Sequence, residues 1–230
     1  MSVEVELIPS TDPRLRRHRV HDARSRAYAA FATATKPPTT SVDHKRIAPI
    51  FDQGEVGSCT GNAAIGCLMT DPYHRAGWSF TEDDALRLYE LETSLDDREI
   101  PGHFPPDDTG SSGLASAKAL RKMGLIRGWK TAFGLNATLN AVVDSPVSVG
   151  IPWPASFMNA PKSGMLKMSA RPKYAGGHQI EVCGIDCTRQ LVKFAQSWGS
   201  GWGDHGYGYI RWADLGYLLA DGGDTTVFTV

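Results

Sequence analysis

The stretch QGEVGSC, residues 53–59, stands directly before TGNAAIGCL, residues 60–68, whose small and apolar residues recur with helical spacing. This pattern predicts a buried helix that begins at Cys59. The positive end of a helix dipole stabilises a thiolate, so a cysteine at this position has a lowered pKa. Cys59 is therefore either a small apolar residue that starts a helix or a nucleophile that its surroundings ionise, whereas Cys67 falls on the buried face and is structural.

The composition narrows the functional classes. Among 230 residues, 24 are Lys or Arg and 25 are Asp or Glu, a balance that does not favour nucleic acid or an anionic membrane as a partner. No run of 18 apolar residues occurs, and the N-terminus lacks the pattern of a signal peptide. Four cysteines without framework spacing favour a reducing compartment such as the cytoplasm. We expect a monomer that needs no metal and no cofactor.

Residues 1–40 form a leader rich in arginine, in which PRLRRHRVHDARSRAYAA is followed by the breaker TKPPTTS. A charged run of this kind is most simply a solvated arm that lies on the surface of the domain. A pro-segment and an interaction tail are the alternatives.

The rest of the chain has two kinds of sequence pattern, one helical and one typical of β-strands. FTEDDALRLYELE carries a capping box, with Thr81 three residues before Asp84, and GLASAKALRKMG has a helical stripe that ends at Gly124. After about residue 140, short β-branched and aromatic runs alternate with turn residues: SPVSVGI, HQIEVCGID, LVKFAQSW, GYGYIRW and TTVFTV. We expect an α+β domain over residues 41–230, with a helical lobe at about 47–140 and an antiparallel β half-barrel lobe at about 141–230. The groove between two such lobes is a common ligand site.

A nucleophilic thiol needs an imidazole that accepts its proton and a group that holds this imidazole in the right tautomer. Of the seven histidines, six lie in polar or turn-like contexts that are typical of a surface. His178 instead follows Ala-Gly-Gly and leads into the apolar strand QIEVCGI, which would fix its ring at a strand start. The glycine-rich stretch AQSWGSGWGDHGYGYI lacks a Lys after the glycines and a strand–loop–helix context, which argues against a phosphate loop.

Three of these motifs together resemble the papain-like cysteine peptidases. They are QxxxGSC at residues 53–59, GGH at residues 176–178 and SWGSGWGDHGY at residues 197–207, in that family's order and at compatible separations. The resemblance covers roughly residues 45–230. It implies a two-lobed fold with the active site in the cleft, the nucleophile Cys59 on the central helix of the first lobe and His178 on the β lobe.

The resemblance also implies roles for further residues. The Gln53 amide and the Cys59 backbone N–H would form the oxyanion hole, and Trp198 would shield the histidine from water. Gln196 stands where the family has Asn. Its carboxamide offers the same acceptor oxygen on one more methylene and would orient His178.

Other positions depart from the family. Val56 replaces a cysteine that forms a disulfide in the family, and Thr60 replaces the aromatic residue that often follows the nucleophile. The Gly-Gly pair that lines the substrate groove in many members appears as Gly110 and Ser111, and Gly177 completes the expected groove residues. The leader is shorter than the family's helical inhibitory pro-segments, so zymogen control of that type is not expected.

The leading hypothesis is a cysteine-type peptidase that hydrolyses peptide bonds through a thiolate–imidazolium pair and an acyl-enzyme. A catalytically silent papain-fold protein that binds peptides is the rival. A hydrolase of isopeptide or other amide bonds would use the same dyad. The expected partner in each case is a peptide or protein.

Overall fold

Two packed layers, one helical and one mainly β, make up the part of the chain that the computed structural model describes. That part comprises residues 3–22, 25, 29–31, 34–96 and 98–230. Within it, none of the helices is both long enough and apolar enough to cross a membrane. The architecture is α+β, as the sequence predicts.

The helical layer consists of three helices whose apolar faces meet in one core. Leu68, Leu88 and Leu120, one from each helix, are fully buried in it. The predicted capping box is present, because the Asp84 carboxylate accepts a hydrogen bond from the Thr81 backbone N–H at 2.8 Å. The bounds are α1 Cys59–Leu68, α2 Glu82–Asp96 and α3 Gly113–Lys122.

The β layer is one antiparallel sheet of seven strands: β3 Val42–Asp43, β4 Gly128–Ala132, β5 Val147–Pro154, β6 Tyr174–Asp186, β7 Leu191–Ala195, β8 Tyr207–Arg211 and β9 Asp224–Thr229. Their order across the sheet is β4-β9-β5-β6-β7-β8, and β3 pairs with β6. All five strands that the sequence predicts in the second half are present. Two helices that the sequence analysis did not predict cover the sheet: α4 Leu135–Asp144 and α5 Trp212–Ala220.

Helix α1 lies between the two layers and brings its first residue to the sheet. All ten of its residues are buried, because α2 packs on one side and β6 on the other. Gly61 permits the first contact, since a Cβ there would collide with the Ala85 carbonyl of α2. Gly66 permits the second, since a Cβ there would meet the Glu181 carboxylate of β6.

Part of the leader, residues 1–40, does not form the solvated arm that we expected, and residues 1–2, 23–24, 26–28 and 32–33 of it lie outside the described residues. Strands β1 Val3–Glu6 and β2 Arg19–Asp22 pair as an antiparallel ribbon. Between them, residues 8–18, which we call the groove segment, run through the cleft between the lobes. Leu15 and Arg17 have no exposed surface. The expected solvated arm is wrong for residues 8–18, because the walls of the cleft provide backbone hydrogen-bond partners and the Asp224 carboxylate, which pairs with Arg17.

Candidate active site

Cys59 is the first residue of α1 and is fully buried. No acidic residue lies in the first turn to offset the positive end of the helix dipole. Burial nevertheless raises the pKa of the Cys59 thiol to about 12, although the backbone N–H groups of Gln179 and Arg16 act in the opposite direction. Gln179 directly follows His178 on β6, so α1 places the thiol against the part of β6 that carries the histidine. All four cysteines are free thiols.

His178 lies on β6 and is held by Gln196. Its Nε2 is 2.6 Å from the Gln196 Oε1, and the same oxygen accepts the Ser197 backbone N–H at 2.9 Å. An oxygen that faces two nitrogens in this way is an acceptor for both, so Nε2 carries the proton and Nδ1 is the basic nitrogen. Nδ1 makes no hydrogen bond of good geometry among the described residues, although the Arg14 backbone of the groove segment interacts with the ring and raises its pKa. Gln196 thus reaches the histidine despite its additional methylene.

Two tryptophans exclude water from this histidine. The Trp198 ring lies 5.0 Å from the His178 ring and the Trp153 ring 4.8 Å from it, both measured between centroids. Trp198 was predicted for this position, whereas Trp153 was missed because an aromatic residue in a strand carries no functional signal. Burial lowers the pKa of His178 to about 4, and the Arg14 charge acts in the same direction. The imidazole is therefore neutral in this state.

Gln53 is oriented by both ends of its amide. Its Oε1 accepts the Ser197 hydroxyl at 2.6 Å, and its Nε2 donates to the Val56 carbonyl at 2.7 Å. One N–H remains for another acceptor, and it points to the Arg14 carbonyl of the groove segment at 3.3 Å. The amide donor that the sequence predicts for an oxyanion hole is therefore present and is occupied by the chain itself.

The three predicted groove residues meet the groove segment. The Arg17 N–H donates to the Gly177 carbonyl at 3.1 Å, the His18 N–H donates to the Ser111 carbonyl at 2.8 Å, and the Ser111 N–H donates to the Arg16 carbonyl at 3.2 Å. The groove segment therefore forms backbone hydrogen bonds with Ser111 on the helical lobe and with Gly177 on the β lobe.

Close approach of this kind depends on the absence of side chains. A Cβ at Gly110 would collide with the Arg16 carbonyl, and one at Gly177 would collide with the Arg17 carbonyl. Gly110 also has a φ of +78°, which favours glycine.

Further contacts fix the groove segment locally. The His18 ring accepts the Ile8 N–H through Nδ1 at 3.0 Å, and its Nε2 therefore donates to the Thr109 carbonyl at 2.9 Å. The Asp12 carboxylate binds the Arg14 guanidinium at 2.7 Å, which places that guanidinium 4.3 Å from the centre of the Trp198 ring. The segment thus covers the groove as a folded element. His18, which the sequence analysis assigned to the surface, is buried by it.

A buried ion pair was missed by sequence reasoning. The Arg17 Nη2 lies 2.6 Å from the Asp224 Oδ2, and the two side chains are 0% and 6% exposed. Arg17 also donates to the Gly222 carbonyl at 3.3 Å. Only the arginine-rich composition of the leader hinted at this contact, and a charged run does not indicate which carboxylate it binds.

Comparison with solved structures identifies the fold as that of the papain-like cysteine peptidases. Xylellain, a cysteine protease from Xylella fastidiosa, is 16% identical with a TM-score of 0.73, over 98% of this chain and 99% of that one. The cysteine protease CMS1MS2 from Carica candamarcensis, solved in complex with E-64, is 18% identical with a TM-score of 0.59, over 84% of this chain and 99% of that one.

A third solved structure is the proform of the Amb a 11 cysteine protease, a major ragweed pollen allergen. It is 19% identical with a TM-score of 0.62, over 88% of this chain and 70% of that one. No protein-family model matches the chain, and no curated protein matches its sequence. The likeness establishes the fold, so an activity has to be argued from the site itself.

Proposed function

We propose that this chain is a papain-type cysteine peptidase that its own groove segment keeps latent. The observation that carries the proposal is the 2.6 Å contact between His178 and Gln196, because it gives the imidazole the tautomer that a thiol nucleophile needs.

The reaction would begin when Nδ1 of His178 takes the proton of Cys59. The thiolate attacks the carbonyl carbon of a peptide, and the developing oxyanion is bound by the Gln53 Nε2–H and the Cys59 backbone N–H. His178 then donates its proton to the leaving amine, and an acyl-enzyme remains. A water that His178 deprotonates hydrolyses the thioester and regenerates the thiol.

Two features support latency. The Arg14 carbonyl uses the Gln53 N–H that a substrate oxygen would need. The segment also adds to the burial of the pair, and this burial raises the pKa of Cys59 to about 12 and lowers the pKa of His178 to about 4, so both groups are neutral near pH 7. Displacement of the segment readmits water, and hydration favours the charged form of each group.

Site-resolved alkylation tests the proposal. Iodoacetamide should label Cys59 slowly in the full chain, and Arg17→Ala, which weakens the hold of the segment, should accelerate this labelling. In the Arg17→Ala background, His178→Ala should slow the labelling again, and Cys59→Ala should abolish peptide hydrolysis. The buried Cys67 and the partly exposed Cys187 are internal controls, and Cys67→Ala should leave turnover within about tenfold of the parent. Hydrolysis that persists in Cys59→Ala would contradict the mechanism, and tight peptide binding without hydrolysis would favour a silent binding protein.

A further inference from the structure

We infer that the pocket that holds Arg17 is the specificity pocket of the proposed peptidase, and that Asp224 makes it select an arginine side chain in the substrate. This inference rests on the proposed function and adds a substrate class to it. The groove segment stands in the place of a substrate, and Arg17, its one charged residue without exposed surface, shows which chemistry the groove accommodates.

The pocket is built for a long, charged side chain. Arg17 is fully buried, its Nη2 binds the Asp224 carboxylate at 2.6 Å, and its Nη1 donates to the Gly222 carbonyl at 3.3 Å. Glycine keeps the pocket open, since a Cβ at Gly150 would collide with the Arg17 guanidinium.

The pocket adjoins the reacting groups. Arg17 follows Arg16, whose backbone N–H acts on the Cys59 thiol, and the Arg17 N–H donates to the carbonyl of Gly177, the residue before His178. Main-chain atoms on both sides of Arg17 are thus fixed near the catalytic pair. A substrate side chain that enters this pocket therefore belongs to a residue close to the scissile bond.

Arginine suits the pocket better than other side chains. A buried carboxylate is costly unless a cation and hydrogen bonds compensate it. The guanidinium reaches both the Asp224 carboxylate and the Gly222 carbonyl, because its donors form a planar fork, whereas the lysine ammonium is a single point charge. An apolar side chain would leave both acceptors without these donors. Arg19 also donates to Gly222, at 3.2 Å, but it belongs to β2 and lies at the pocket mouth, paired with Glu6.

The test uses the full chain with Arg17→Ala, which empties the pocket. Fluorogenic peptides carry Arg, Lys or Leu at each position near the scissile bond in turn. At one position, kcat/KM for Arg should exceed that for Leu by about tenfold or more, because a site built for hydrogen bonds rejects side chains that lack them. Asp224→Asn should remove most of this ratio. Asp221→Asn, which changes an exposed carboxylate of the same turn, should preserve it.

A binding measurement separates this inference from the proposed function. A synthetic peptide of residues 8–20 and a copy with Leu in place of Arg17 are titrated into the chain that carries Cys59→Ala and Arg17→Ala. The peptide with arginine should bind about tenfold more tightly, and the additional change Asp224→Asn should cancel the difference. Arginine-dependent binding without hydrolysis of any peptide by the Arg17→Ala chain would support the pocket and overturn the peptidase. Hydrolysis that is equal for Arg and Leu at every position, with equal binding of the two peptides, would overturn the pocket and leave the peptidase standing.

Discussion

Two buried arginine–carboxylate pairs join different parts of the molecule, and they differ in how completely they are satisfied. The Arg46–Glu181 pair is 3% and 2% exposed, and the Thr70 hydroxyl adds a hydrogen bond to the glutamate. Arg46 also donates to the Pro49 carbonyl and lies 4.6 Å from the centre of the Phe51 ring. This pair joins the loop before the helical layer to the middle of the sheet.

The Arg17–Asp224 pair is buried to a similar degree but has a different context. Among the described residues, the Nε of Arg17 has no hydrogen-bond partner, and its Nη2 meets the Asp224 carboxylate as an ion pair without a hydrogen bond of good geometry. Its arginine belongs to an eleven-residue segment, residues 8–18, that lies against the groove walls and outside both layers. We therefore expect the two pairs to serve different purposes: separation of the first pair should destabilise the fold, whereas separation of the second should open the groove.

The largest effect should follow when the first pair is broken. Arg46→Ala leaves the Glu181 charge buried without its cation, and loss of one partner of a buried pair costs about 3–5 kcal/mol. Urea unfolding of parent and variant measures this change in the free energy of unfolding. Lys193→Ala breaks the exposed pair with Asp43, which spans 2.8 Å, and should cost less than about 1 kcal/mol. A cost below 1 kcal/mol for Arg46→Ala would remove the distinction between the two buried pairs.

Glu92 is a third buried carboxylate, and its hydrogen-bond partners are hydroxyl groups, whereas the carboxylates of Glu181 and Asp224 are paired with arginines. Burial raises the pKa of Glu92 to about 7, against a usual value of 4.5, and the hydroxyls of Thr60 and Ser116 offset only part of this effect. The folded state therefore binds more protons than the unfolded state between about pH 4.5 and 7. Its stability falls as the pH rises through this window and remains lower above pH 7.

Glu92→Gln should remove the loss of stability that the ionisation of Glu92 causes as the pH rises. Because one pKa unit is worth about 1.4 kcal/mol, the variant should gain on the order of 3 kcal/mol relative to the parent when the pH is raised from 4.5 to 8. Urea unfolding at both pH values gives the difference, and Glu90→Gln on the same helix is the matched control. An equal pH dependence in parent and Glu92→Gln would show that burial does not raise the pKa of Glu92.

Breaking the Arg17–Asp224 pair should have a smaller effect, which shows in the reactivity of Cys59 more than in the free energy of unfolding. Arg17→Ala should accelerate the alkylation of Cys59 by about tenfold or more, because about 1.4 kcal/mol of lost segment binding changes the exposed fraction by that factor. Labelling of Cys187 should be unchanged, and Arg121→Ala on the surface of α3 should have no effect. Unchanged labelling of Cys59 in Arg17→Ala would mean that the pair does not hold the segment in the groove.

The sequence predicted the parts of the fold that depend on local patterns. Helix α1 begins at Cys59 as its spacing requires, and the strand that carries His178 follows from its β-branched run. The groove segment was not predictable, because its contacts pair Arg17 with Asp224, 207 positions further along the chain. Charge periodicity cannot reveal such a contact. The compartment, the oligomeric state and the domain boundaries stay predictions.

The role of Gln196 follows only when the sequence motif is combined with the 2.6 Å distance between its Oε1 and the His178 Nε2. The motif suggested an orienting amide but could not show whether a longer side chain fits beside His178. The Gln196 N–H donates to the Gly206 carbonyl at 2.9 Å, which fixes the backbone at a distance that the longer side chain spans. Asn at this position would be one methylene short of the histidine, although its amide could still act through a water.

The smallest effect should therefore come from Gln196→Asn, measured in the Arg17→Ala background, where the groove is open. We expect kcat to fall by about two- to tenfold with little change in KM, because the lost contact orients the base and does not bind substrate. Gln196→Ala should lose more, since no acceptor for the His178 Nε2 remains, and the control Gln190→Asn in an exposed turn should lose nothing. The pH profile of kcat separates positioning from packing, because a weaker acceptor lowers the pKa of the imidazolium and shifts the acid limb of the profile downwards. Equal rates for Gln196→Ala, Gln196→Asn and their common parent would show that the 2.6 Å contact has no role in catalysis.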